Sequence, residues 1–243
     1  MRSLPPTPTL CFFLAGCGTG DWSVSAWGED YIEAGIPAEE FEDGCSASFE
    51  RFSVEFSEAS LRTPQEEVVG ESPVGRVELT EPGPHALGTV AVAPGTYDRV
   101  YYSIGSSSEA SVQTAGTVTC GDTSVAFDWS FNPSVRYRCL ADAPLEVLVP
   151  DGGEVTTQLT IHGDHLFYDS LAGEGEGLRG QAIVDADADA DGLVTLAELE
   201  TVLVEGLGYP VGTHTDILHY ADFLSQLVSG IGHVDGEGHC YAD

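Results

Sequence analysis

The chain has 243 residues, 42% of them apolar, and sets 40 acidic side chains against eight basic ones, all arginine, for a formal net charge of −32. A surface so acidic repels nucleic acid and anionic lipid, which excludes both as docking partners, and it attracts divalent cations. The apolar share suffices for a packed core, in one domain of roughly 200 residues or in a larger domain with a small appendage.

Residues 1–16 hold Arg2 and a short apolar run from Leu10 to Gly16, approached through Pro5, Pro6 and Pro8. The run closes in Leu14-Ala15-Gly16-Cys17. This stretch resembles the lipobox of bacterial lipoproteins. The resemblance implies a signal peptide over 1–16, cleavage before Cys17 and lipidation of Cys17, so that the chain is exported and held to the membrane through its lipid anchor. Gly18 stands where lipoproteins kept at the inner membrane carry aspartate, which points to the outer membrane and to another envelope protein as partner. No other apolar run approaches the ~18 residues that span a bilayer. Residues 17–45 are acidic and irregular, with Trp22, Trp27 and Tyr31, and read as a tether that becomes ordered near Cys45.

From 46 to 165 the signals are strands. Phe49, Phe52, Val54 and Phe56 alternate loosely with polar residues, and short β-prone runs follow at 76–80, 89–92, 97–104, 112–119, 125–131, 135–139, 145–149 and 155–162. Turn residues punctuate them: Pro82-Gly83-Pro84, Pro94-Gly95, Gly121-Asp122, Asn132-Pro133 and Asp151-Gly152-Gly153. Eight or nine short strands at this spacing predict an antiparallel β-sandwich.

Residues 166–243 read as helical, packed on the sandwich. A short helix over 178–186, weakened by Gly180, leads into Asp187-Ala-Asp189-Ala-Asp191-Gly192-Leu193-Val194-Thr195-Leu-Ala-Glu198. This fits a twelve-residue calcium loop of the EF-hand type, with Asp187, Asp189, Asp191, Leu193 (through its carbonyl), Thr195 and Glu198 as ligands. Calcium needs six to eight hard oxygens; alternate aspartates supply them, glycine permits the sharp turn, and the glutamate closes the shell. The competing frame from Asp185 puts Ala190 at the glycine position and Leu196 at the closing position, so it fails. A helix over 195–203 follows, and Thr213 or Thr215 caps a third helix that runs to about Val228 with one apolar face. No second loop is visible, which favours a structural ion over a sensor.

Of six cysteines, processing removes Cys11 and lipidates Cys17. The remaining four allow three pairings; Cys120–Cys139 and Cys45–Cys240 are favoured, since the first pair flanks two adjacent strands and the second ties the ends together. A second constellation gathers histidines and acids: His162-Gly163-Asp164-His165 at the end of the last strand, and His233 to His239 near the C-terminus. Imidazoles with a carboxylate bind zinc or copper. In a regular strand His165 points away from His162 and Asp164, so Gly163 has to bend the chain. His85, His214 and His219 read as structural or surface residues. No Gly-x-Ser-x-Gly, phosphate-binding loop, His-Glu-x-x-His or dinucleotide fingerprint occurs, so an enzyme is not expected.

Thr160 to Phe167, Phe127-Asp128-Trp129-Ser130-Phe131 before Cys139, and the histidine-rich end together resemble a group of predicted lipoproteins without an assigned activity. A fainter likeness to the periplasmic copper-binding proteins associated with methanobactin implies copper as a metal to test. Two functions follow. The first is an exported calcium-binding module, membrane-tethered, in which Ca2+ is mainly structural. The second is a periplasmic copper or zinc protein that uses His162, Asp164, His165, His233 and His239.

Overall fold

The computed structural model describes residues 18–106, 110–140, 146–173, 176–236, 238 and 240–242. The signal segment, Cys17 and His239 lie outside the described residues. In chain order the elements are β1 (Gly20–Trp27), α1 (Glu29–Ala34), β2 (Cys45–Arg62), β3 (Val68–Glu71), β4 (Arg76–Glu78), β5 (His85–Val92), β6 (Gly95–Tyr97), β7 (Arg99–Ile104), β8 (Val112–Cys120), β9 (Thr123–Phe131), β10 (Val135–Leu140), β11 (Val147–Val149) and β12 (Glu154–Ile161). A 3₁₀ turn (Asp164–Phe167) follows, then α2 (Gln181–Val184), β13 (Leu193–Val194), α3 (Leu196–Leu199), α4 (Val204–Leu207), α5 (Tyr220–Val228), β14 (Gly232–Val234) and β15 (Cys240–Ala242).

The chain is mainly β, in several sheets. A four-stranded sheet runs β14-β12-β1-β5, and a larger one runs β13-β9-β8-β2-β7-β10-β15, with β3 and β4 also paired to β2. The long β2 joins the two halves of the larger sheet. Register shifts at Phe49/Arg51 and Phe56/Glu58 let its first part pair β8 and its second part pair β7. Strict alternation makes β9 half-buried: Val125, Phe127, Trp129 and Phe131 point into the core while Ala126, Asp128 and Ser130 face out. The smaller sheet lies against the larger one. At Gly232 of β14 a Cβ atom would come within 2.4 Å of the Tyr102 hydroxyl and 2.7 Å of the Tyr137 ring, so only glycine permits this approach.

Several sequence expectations are corrected. The segment read as a tether supplies β1, whose Trp22 is fully buried and donates through Nε1 to Thr157 Oγ1 at 2.9 Å. Apolar and small residues over 22–27 fit a strand covered on both faces, which the acidic flanks obscured. The sheets are not purely antiparallel: β1 runs parallel to β12, and β13 parallel to β9. The disulfides are Cys45–Cys120 and Cys139–Cys240. Strand order is the reason. β9 and β10 are not neighbours, whereas β2 places Cys45 opposite Cys120 on β8, and β10 places Cys139 opposite Cys240 on β15.

The helices are shorter than expected. Those around the aspartate-rich loop span four residues each. The third begins at Tyr220, not at Thr213 or Thr215, because the preceding residues pair as extended chain: Val204 N–H donates to Leu218 O and Tyr220 N–H to Val202 O. Its apolar face does pack inward, through Phe223, Leu224, Leu227 and Val228.

Candidate metal centres

The histidine cluster starts from strand register. β12 and β14 run antiparallel with Thr160 opposite His233, and His162 N–H continues the ladder to Ile231 O at 2.9 Å. Thr160 and His162 are two apart and share a face, so His162 and His233 are diagonal neighbours on it. Their ring centroids lie 4.2 Å apart. Gly163 then leaves the strand with φ −76° and ψ −27°, where a Cβ atom would come within 2.6 Å of Ile32. The resulting 3₁₀ turn brings His165 back, its ring 5.2 Å from His162 and 5.3 Å from His233. The bend required at Gly163 is therefore present.

His162, Asp164 and His165 each present a donor atom, and all three atoms lie within 4.8 Å of one another. Metal–nitrogen bonds of 2.0–2.1 Å put tetrahedral donors about 3.4 Å apart. Closing that difference takes side-chain adjustment of about an ångström. His162 is 5% exposed, and its Nδ1 lies 3.3 Å from Glu29 Oε2 and 3.7 Å from Asp164 Oδ1. Glu29 opens α1 with φ at +56°, a left-handed conformation that costs of order 1 kcal/mol outside glycine. The Tyr168 hydroxyl donates to Asp164 Oδ2 at 3.2 Å, and its ring packs on that of His165 with centroids 4.6 Å apart.

Electrostatics fit a ligand set. Burial, aided by the charge of His162, pulls the His165 pKa down to about 4 against the opposing pull of Asp164 and a hydrogen bond to the Gly230 backbone. His165 is thus neutral near pH 7, with the lone pair a metal requires. Burial would raise the Asp164 carboxyl, but His162, His165 and the Tyr168 hydroxyl outweigh it and hold the group below its ordinary range. It stays an anion.

The aspartate-rich loop is a separate place, exposed and on the far side of β9 in the strand order. Carboxylate oxygens of Asp187, Asp189 and Asp191 gather within 4.8 Å of one another. Asp187 accepts from the N–H groups of Asp191 at 3.2 Å and Gly192 at 3.0 Å, and Asp191 Oδ1 accepts from Leu193 N–H at 2.8 Å. Gly192 takes φ +83°, the turn that its place in the loop demands. Thr195 caps α3 in a capping box with Glu198, whose carboxylate also reaches back to accept from Ala188 N–H at 3.1 Å. Hydrogen bonds from the Thr195 backbone and hydroxyl lead the effects that lower the Glu198 pKa. Leu193 and Val194 pair with Ala126 and Phe127 of β9, Val194 is fully buried, and its carbonyl accepts from Trp129 Nε1 at 2.9 Å. The loop thus docks on a sheet edge where a second loop would stand in a paired arrangement.

No family model matches the chain, and no curated protein matches it. Among solved structures, MbnP from Methylosinus trichosporium aligns at a TM-score of 0.35 and 9% identity, over 61% of this chain and 77% of that one. At that level neither fold nor function passes from one to the other.

Of the four histidines expected in the cluster, His162 and His165 bring donor atoms together with Asp164, and His233 packs its ring on theirs without joining that set; His239 lies outside the described residues. Glu29 and Tyr168 join them unforeseen. Nothing local marks Glu29 among 40 acids, since its role arises from α1 folding over the end of β12. Tyr168 carried a signal: three residues past His165, it falls one turn away on the same side of the 3₁₀ helix.

Proposed function

We propose that this chain is an exported metal-binding protein whose centre for a divalent transition metal, copper or zinc, is made by His162, His165 and Asp164, with the His233 ring packed against His162, Glu29 orienting His162 and one coordination position left for an external ligand. The observation that carries this reading is the meeting of donor atoms of His162, His165 and the half-buried Asp164 carboxylate, with a third imidazole, from a segment about 70 residues away, packed on them. Nitrogen and oxygen donors without sulfur favour Cu(II) or Zn(II) over Cu(I). Glu29 beside His162 Nδ1 repeats the carboxylate–histidine pairing that fixes ring orientation in metal sites. Binding, storage or delivery of the metal is the role proposed for this centre. The test is metal analysis of protein purified without chelator, beside His162→Ala/His165→Ala. One copper or zinc per wild-type chain, lost in the double variant, supports the reading; equal metal in both defeats it.

A second ion, Ca2+, is proposed for the loop 187–198 as a structural element. Three carboxylates drawn together at the surface repel one another, and a doubly charged cation relieves that repulsion. Its ligands are Asp187, Asp189, Asp191, the Leu193 carbonyl, Thr195 and Glu198, in an EF-hand-like loop with one-turn helices. The facing sheets are read as a β-sandwich that carries both sites. Lipidation at Cys17 and an outer-membrane location complete the proposal. Two disulfides support an oxidising compartment, and no helix among the described residues is long and apolar enough to cross a membrane.

A further inference from the structure

An open groove of about 510 Å³ runs beside the histidine cluster, lined in part by His165, Tyr168, Gln226, Gly230, His214 and Glu176. His165 alone among the three clustered imidazoles lines it. The same ring therefore forms a wall of the metal pocket and a wall of the groove. His162, by contrast, is 5% exposed and closed in by Glu29 and Asp164. The groove has the size of a small-molecule site, and Leu171, Val135 and Leu227 add apolar lining to its polar groups.

Resting on the transition-metal reading, we propose that this groove admits a small nitrogen-donor molecule that ligates the metal on the His165 side. Charge selects the class. Asp164 and Glu29 already flank the pocket, Glu176 lines the groove, and the whole chain stands at −32, so an anionic donor is repelled while a neutral imidazole-like one is not. Metal arriving or leaving in complex with such a donor exchanges there.

Imidazole itself is the probe, used on the Cu(II)-loaded full chain and read by electron paramagnetic resonance. His165→Gly opens a hole onto the groove, so imidazole restores the wild-type-like signal and the lost stoichiometry; His162→Gly leaves a hole without that access and is not rescued. Ser134→Trp supplies the second measurement without touching a ligand. Ser134 is exposed and lines the same groove, so an indole there takes up part of the groove's volume. Copper stoichiometry stays as in wild type, while imidazole's apparent affinity falls about tenfold or more. Rescue of both glycine variants alike, or of neither, overturns the inference, as does an imidazole response in Ser134→Trp equal to wild type. If wild type takes up copper independently of His162 and His165, the metal reading falls and this inference with it.

Discussion

The histidine cluster and the aspartate-rich loop are built in opposite ways. The loop is local: twelve consecutive residues, stabilised by their own backbone N–H groups, exposed, and pinned to the sheet by one buried valine. The cluster is non-local: two strands in register, a 3₁₀ turn and the first residue of α1 must all be in place before its donors meet. A local site survives damage to distant parts of the fold and a non-local one does not. The largest predicted effect tests this. Cys139–Cys240 spans 101 residues and ties β15, six residues beyond β14, to β10. Loop-closure entropy makes its loss worth about 4–5 kcal/mol of stability. Cys139→Ser/Cys240→Ser should melt far lower and lose transition-metal affinity, while calcium affinity measured well below the melting range stays within about twofold. Equal loss at both sites would show that they are one cooperative unit.

Direct ligand removal gives the next effect. His162→Ala/His165→Ala should weaken copper or zinc binding about a thousandfold, ~4 kcal/mol, and leave calcium binding unchanged. Competition against a chromophoric chelator measures the first and calorimetry the second. Calcium affinity that drops along with copper in this variant breaks the separation of the sites.

The same contrast explains what could be read from the chain. The gathering of Asp187, Asp189 and Asp191 around a turn at Gly192 was legible because all four residues lie within six consecutive positions. Strands β8 and β9 were legible from alternation and the Gly121-Asp122 turn. The disulfides were not, because proximity in sequence suggested neighbours that the strand order separates; only the insertion of β2 and β7 between β8 and β10 decides the pairing. β1 was hidden by its acidic flanks. His162, Asp164, His165 and His233 were nameable as donors, but their meeting depends on the Thr160–His233 register. Glu29 enters through a backbone conformation that no residue pattern encodes.

Acidity should also separate the two sites. In metal-free protein the His165 pKa, lowered by burial to about 4, lies below its unfolded value near 6.5. The unfolded chain therefore binds the extra proton across that window. Stability falls as pH drops from about 6.5 towards 4, by about 3 kcal/mol at most, and this group adds no further loss below. Asp164 acts lower: its folded pKa is depressed, so its contribution is lost only as pH falls below the ordinary carboxylate range. Denaturant titrations of chelator-treated protein between pH 7.5 and 4.5 should show the first slope, and His165→Asn should flatten it. A slope that is unchanged in the variant assigns the acid sensitivity elsewhere.

The smallest effect belongs to Glu198. Extracellular loops of this kind hold calcium with dissociation constants of about 10⁻⁴–10⁻³ M, so millimolar calcium lends roughly 0.4–1.4 kcal/mol through linkage. Glu198→Ala should forfeit that in calcium and lower the melting temperature by a few degrees. Chelator does not erase the whole effect, because Glu198 also completes the capping box of α3 by accepting from the Thr195 N–H, and separately accepts from the Ala188 N–H. Glu198→Gln separates the two roles: its amide oxygen still accepts the Thr195 N–H, but it cannot give calcium two anionic oxygens. The glutamine variant keeps the capping box but loses the Ala188 N–H bond, so it should melt slightly below wild type in chelator and further below it in calcium. Parallel melting curves for the two proteins under both conditions would reduce the loop to a capped turn of acidic residues, and the metal chemistry of the molecule would rest on the histidines alone.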